Sequence, residues 1–347
     1  MAATTAPART LRVRRVTGLH LLALGALVGA VVAGIFEVTA LGGTAGFLVV
    51  SSTVFGVVLG ATAWAVEGRR RAVNRLAIYL LTVAFATALL PLVSVLSFTI
   101  VRGLKALDLQ FLSHSMFRVR PSKAGGGAFH AIIGTIEQVS IASLIAVPTG
   151  LLVAIYIVEY GRGRLAGAVR FFVDVMTGLP SIVAGLFIYA AWVLGLGQGF
   201  SGVAASMALA ILMLPIVIRS TEEMLRLVPN SLREAGLALG IPRRRIILKI
   251  VLPAATTGIT TGVMLGIARA TGETAPVLLT AFAFSKTNLN PWHGAQMSLP
   301  TFIFDQAQSA YDVAIDRAWA AALTLISFVL VLNLIARLLT RRNRLTH

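Results

Sequence analysis

No cysteine occurs in the 347 residues, so neither a disulfide framework nor thiol chemistry is open to this chain. Charge is also scarce: 12% of the residues are Asp, Glu, Lys or Arg, against the roughly 25% usual in soluble domains. Acidic residues are the scarcest, 13 beside 30 basic ones, and the formal net charge is +17. The five histidines (His20, His114, His130, His293 and His347) are too scattered for a metal site. No G-x-x-x-x-G-K-[ST] segment is present, which excludes a P-loop for nucleotide phosphates. No nucleophile–base constellation stands out, and there is neither an internal repeat nor a low-complexity tract. An enzyme is therefore not expected.

What fills the chain instead is apolar: 57% hydrophobic residues and a mean hydropathy of +0.87. Several apolar runs reach the ~20 residues that a bilayer needs. The pattern predicts an all-α polytopic membrane protein with about eight transmembrane helices, over 18–37, 46–66, 76–101, 129–158, 171–194, 201–225, 251–284 and 317–339. The basic region before the first run is read as the flank of an uncleaved helix rather than of a signal peptide, because a second span follows at once.

The basic residues fix the orientation. With both termini cytoplasmic, 22 of the 30 fall on the cytoplasmic side, seven on the outside, and Arg269 lies within a span. The asymmetry alternates correctly across all eight helices, so the charge reports topology and not nucleic-acid binding. This gives a cytoplasmic tail at 1–17, two N-terminal helices and a basic loop at 18–75, and a main transmembrane body at 76–340. The largest cytoplasmic loop is 220–250.

The stretch "ARATGETAP" (268–276) places Arg269 and Glu273 in the middle of the seventh span. At i, i+4 they share one helix face. A charge at the bilayer centre costs about 2.5–3.5 kcal/mol on insertion scales, so the pair is expected to face protein or water. Either it is a self-neutralised pair joining helices, or it is an anion site. The guanidinium offers a rigid fork of donors matched to two oxygens of a tetrahedral oxyanion, and Glu273 can hold the fork or accept a protonated oxygen. Thr271 and Thr274 add hydroxyls, while Gly272 and Pro276 permit a local break.

The cytoplasmic stretch "EAGLALGIPRRRIILKIVLP" (234–253) has Glu234, Ala235 and Gly236, then three residues, Gly240, nine residues, and a closing Ile-Val-Leu-Pro253. Ser231 with Glu234 reads as a capping box, Gly240 as a helix stop and Pro242 as the start of a second short helix. The spacing resembles the EAA loop of ABC importer permeases, E-A-A-x₃-G-x₉-I-x-L-P, with Gly236 in place of the second alanine. That loop implies a separate ATPase docking on the cytoplasmic face.

"GETAPVLLTAF", "AVPTGLLVAIYIVEYG" (146–161), "TGLPSIVAGLFIYA" (177–190) and "LPIVIRSTEEMLRLVPNSLREAGLALG" (214–240) are similar to phosphate-specific ABC importer permeases of the A type (PstA). The resemblance covers roughly 125–285. It implies that Arg219, Arg269 and Glu273 serve phosphate passage, with Ser181, beside Pro180, lining the path. It also implies a C-type permease subunit as heterodimer partner, a cytoplasmic ABC ATPase dimer carrying ATP and Mg, and an external phosphate-binding protein. No cofactor is expected on this chain. Rival readings are a permease for another oxyanion, such as sulfate, molybdate or phosphonate, and an ATPase-independent secondary transporter. The two helices before residue 76 exceed the six spans usual in that family.

Overall fold

A computed structural model describes residues 18–38, 43–161 and 163–344. The chain divides into two compact units, Met1–Leu96 and Ser97–His347. Among the described residues the secondary structure is helical, with no strand. Six helices are long and apolar enough to cross a membrane, or seven if one bent pair makes a single span.

In the first unit, α1 (Gly18–Val38) packs on α2 (Thr44–Glu67). Gly68, at φ 87°, turns the chain into α3 (Arg69–Ala106), whose first part belongs to this unit. Polar contacts fix the α2–α3 hairpin where apolar contact alone would not. Arg75 forks onto both carboxylate oxygens of Glu67 (Nε–Oε2 2.7 Å, Nη2–Oε1 2.8 Å). Tyr79 donates to the Ser52 carbonyl at 2.7 Å and its ring lies 5.3 Å from that of Phe55. In lipid there is no hydrophobic drive between helices, so such bonds and close packing set the register.

The second unit is built around α8 (Gly202–Leu227), of which two thirds of the most apolar window is buried. Against it pack α5 (Phe129–Ile155), α6 (Arg164–Thr177), α7 (Ser181–Ile188), α11 (Leu252–Thr271) and α12 (Ala275–Ala281). Small residues permit the approach. A Cβ on Gly262 of α11 would stand 2.3 Å from the Ser220 Cβ of α8. Val139, Ala142 and Ala146 of α5 meet Leu209, Met213 and Val217 of α8 and Ala270, Val277 and Ala281 of α11 and α12 in one buried cluster.

Two expected spans are not straight. The span at 171–194 is replaced by α6 and α7, bent by 106° at Gly178–Pro180. Pro180 drives the residue before it out of the helical region, so the helix stops. At 14 residues α6 is about 21 Å long, too short to cross a bilayer core of about 30 Å. The span at 251–284 stops at Thr271 and resumes at Ala275, because Pro276 has no N–H to return to the Gly272 carbonyl. It also begins earlier. A short helix α10 (Arg243–Ile246) runs through a π-helical turn at Ile247–Val251 into α11. That wide turn lies where the ring of Pro253 would otherwise meet the Lys249 carbonyl. Two other π-helical turns extend α5 (Tyr156–Tyr160) and α7 (Tyr189–Gly195).

The segments that the charge pattern places outside are well packed. Arg317 of α14 (Asp312–Arg344), itself 4% exposed, holds the 121–125 loop by three carbonyls: Pro121 (2.7 Å), Lys123 (2.9 Å) and Gly125 (3.1 Å). Its Nε donates to Gln306 Oε1 at 3.0 Å. Ser298 and Thr301 form a capping box on α13 (Leu299–Ala307), and the Leu299 amide donates to Thr135 of α5 at 2.7 Å.

Candidate functional site

The break at 272–274 positions the charge pair. Gly272 and Glu273 close a turn onto the carbonyls of Arg269 and Ala270, which ends α11 and carries the Glu273 side chain past its last turn. Arg269 Nε lies 3.9 Å from Glu273 Oε1, an ion pair longer than a hydrogen bond. The Glu273 side chain is 19% exposed and that of Arg269 is 65% exposed. One helical turn back on the same face, Leu265 is 64% exposed. The chain therefore leaves this stripe of α11 uncovered, with the arginine fork directed away from its own bundle. Thr271 points the other way: it is buried, and its hydroxyl donates to the Ile267 carbonyl at 2.7 Å. Its proton is used within its own helix. Ser181 is the first residue of α7, partly exposed at the elbow with α6. One turn on, Gly185 meets Pro276, where a Cβ would lie 2.7 Å from the Pro276 Cα. The elbow helix and the broken helix thus touch just beyond the charge pair.

Arg219 does not join that site. It sits near the other end of α8, bonded to Asp174 of α6 and to Glu222 at 2.8 Å. Glu222 is buried, with its side chain 3% exposed, and also accepts from Arg226 at 2.6 Å; Arg170 Nε lies 3.8 Å away. Three arginines therefore surround one buried carboxylate, and Asp174 ties one of them, Arg219, to α6. Asp174 lies 45 residues from Arg219, so no local spacing in the sequence links the two.

The loop at 220–250 forms two short helices, α9 (Asn230–Ala238) and α10. The expected capping box is absent. Pro229 precedes the first helical residue and no side chain caps α9. Its fixed φ starts the helix two residues before Ser231 could. The stop is as expected: Gly240 has φ +71°, its amide donates to Leu237 and the Ile241 amide to Gly236, the paired bonds of a Schellman motif. Gly236 is buried against Ile246, where a Cβ would come within 2.9 Å of the Ile246 side chain. Glu234, Ala235, Leu237 and Leu239 face outward. The loop's apolar residues are thus presented to the surroundings and not to the bundle.

What holds the loop was not visible in the sequence. Arg233 donates from Nε and Nη2 to Glu159 Oε1 (3.0 and 2.8 Å) and to the carbonyls of Leu225 (2.8 Å) and Val228 (2.6 Å). Arg243 donates to the Glu159 carbonyl, with its guanidinium 5.3 Å from the centre of the Tyr160 ring. The one available signal was an acid at the end of an apolar span, in "IVEYG". Among the described residues, no cluster of three or more His, Asp or Glu side chains could hold a metal.

The model of the family described as "Binding-protein-dependent transport system inner membrane component" matches residues 146–345. The chain belongs to this family. Among curated relatives, the phosphate transport system permease protein PstA 1 of Mycobacterium tuberculosis is 45% identical over 282 residues, 80% of this chain and 92% of that one. The PstA protein of Pasteurella multocida is 40% identical over 272 residues, 78% and 95% of the two chains. Of solved structures, a bacterial ABC transporter involved in import of the acidic polysaccharide alginate superposes with a TM-score of 0.53 at 15% identity, over 80% of this chain and 98% of that one. That likeness bears on the fold alone. The broken helix, the elbow and the double-helix loop are therefore parts of a transport permease of the inner membrane.

Proposed function

We propose that this family member is one transmembrane half of an ATP-driven phosphate importer. The observation that carries the reading is Arg269: an arginine at the break of a 29-residue apolar span, left largely uncovered by its own chain. A guanidinium cannot be left to lipid without the cost given above, so another molecule covers it. Relatives named as phosphate transport system permeases support phosphate as the cargo. A second permease subunit of the C type closes the face, and phosphate passes between the two.

In this reading the two Arg269 donors bind a pair of phosphate oxygens, and Glu273, nearby but not hydrogen-bonded to Arg269, leaves the fork free to do so. Glu273 accepts from a protonated phosphate oxygen, which favours hydrogen phosphate over sulfate. Arg219, tied into the cluster around Glu222, serves as fixed positive charge near the cytoplasmic end rather than as a ligand. Ser181 lines the elbow of α6 and α7. An external phosphate-binding protein delivers the anion, and a cytoplasmic ATPase dimer, which carries the ATP and Mg, docks on the outward face of α9 through Glu234, Ala235 and the exposed leucines. The helices at 18–75 are an addition to a permease body at 76–340.

The test is uptake of labelled phosphate in cells lacking this chain, rescued by wild type or Arg269→Gln at matched membrane levels, with sulfate as competitor. Wild type restores uptake that sulfate does not inhibit, and Arg269→Gln fails. Normal uptake by Arg269→Gln would assign the pair to helix packing and remove the site.

A further inference from the structure

Every element that the ATPase would push on is fastened to one residue. Glu159 lies in the π-helical turn that ends α5, and it is 5% exposed. Its carboxylate receives two hydrogen bonds from Arg233 of α9, and its main-chain carbonyl one from Arg243 of α10. Arg233 also donates to two carbonyls at the end of α8, those of Leu225 and Val228. One guanidinium therefore joins the loop to α5 and α8 together. Both arms of the loop, before and after the Gly240 stop, are tied to the same turn.

The far side of α5 reaches the candidate pathway. Val139, Ala142 and Ala146 pack in the cluster that contains Ala270 and Val277, on either side of the 272–274 break. Beyond them Gln138 bonds Gln296 at 3.0 Å, and Thr135 accepts from the Leu299 amide. From Thr135 to Glu159 the helix runs about 36 Å at 1.5 Å per residue. Such a packed rod passes displacement along its axis, since close-packed side chains yield little to compression.

We infer that Glu159 and Arg233 are positioning residues for energy coupling: through them, movement of the α9–α10 loop is delivered to α5 and so to the Arg269–Glu273 break. This rests on the importer reading and adds to it the route by which ATPase motion reaches the substrate. The charge of the pair is what the route needs, because a buried carboxylate without its guanidinium is drawn toward water and leaves the turn.

The experiment uses the complete transporter in proteoliposomes, comprising this chain, the second permease, the ATPase and phosphate-loaded binding protein. The variants are Glu159→Gln and Arg233→Gln, each of which removes one charge of the pair while keeping a polar, hydrogen-bonding head. Arg337→Gln, at an exposed basic residue of α14, is the control. Three quantities are read: ATPase recovered with the permease, ATP hydrolysis with and without binding protein, and phosphate imported per ATP. The expected result is recovered ATPase and basal hydrolysis near wild type, with phosphate per ATP lowered about tenfold, within the 5- to 150-fold usual for coupling between sites. A purely structural clamp would lower the amount of complex and leave phosphate per ATP at the wild-type ratio, which overturns the inference, as does wild-type behaviour of both variants. A wild-type assembly that imports no phosphate overturns the importer reading and the inference with it.

Discussion

Replacing Arg317 by Met should release the 121–125 loop without emptying the site. The thioether chain fills much of the space of the arginine stem but donates nothing to the Pro121, Lys123 and Gly125 carbonyls. Those carbonyls recover water only when the loop lifts away. The difference is then the net worth of three hydrogen bonds, roughly 1 kcal/mol each, or about 3 kcal/mol in favour of the lifted state. At 1.4 kcal/mol per factor of ten, the lifted population rises about 100-fold. Lys123 reports it directly, since trypsin needs a stretch of unfolded chain around the bond it cuts. In membrane fragments open on both faces, the Lys123–Ala124 bond of Arg317→Met should be cut about 100-fold faster than in wild type, with Arg317→Lys intermediate. A change below about threefold would show that the loop is held elsewhere, by the Ala128 amide on Phe111 (2.8 Å) and the Phe129 amide on His114 (3.0 Å), and would refute the assignment.

Two further outcomes follow from close approaches. Gly262→Val places carbon where the Ser220 side chain already stands, at 2.3 Å, so α8 and α11 must separate; a loss of about 1–3 kcal/mol or more is expected, read as a lowered melting temperature in detergent. Gly236→Ala restores the alanine that EAA loops usually carry, yet adds a Cβ 2.9 Å from Ile246. It should impair binding of the ATPase, and Ile246→Val in the same chain should recover it; full binding by the single variant would show that α10 shifts freely.

Much of the loop could be read in advance because its signals are local. Gly240 stops α9 through its own positive φ, and the E-A-x-x₃-G spacing needs nothing outside the segment. The charge pair at 269 and 273 was legible for the same reason, as an i, i+4 spacing in an apolar run. The cap of α9 was misread because Ser231 and Glu234 satisfy a pattern that Pro229 pre-empts. The bend at Gly178–Pro180 was written in its residues but hidden by hydropathy, which averages over a window and reports no direction. The clamp on Glu159 and the hold of Arg317 on the 121–125 loop were beyond reach, since the residues they join lie 74 and up to 196 positions apart.

The sequence alone therefore determined the class of the molecule, an apolar helical chain poor in acidic residues, and the two-helix form of the loop around Gly240. Both follow from composition and short-range spacing, which act before any tertiary contact exists. The tertiary structure decided which charges are spent and which are free. Arg233 and Arg317 looked no different from other basic residues, and folding bonds each to carboxylate or carbonyl oxygens, while Arg219, singled out by resemblance, is bonded to two carboxylates. Arg269 stays largely exposed among the described residues of its own unit. A side chain's availability depends on what is brought against it from afar, and only the folded chain settles that.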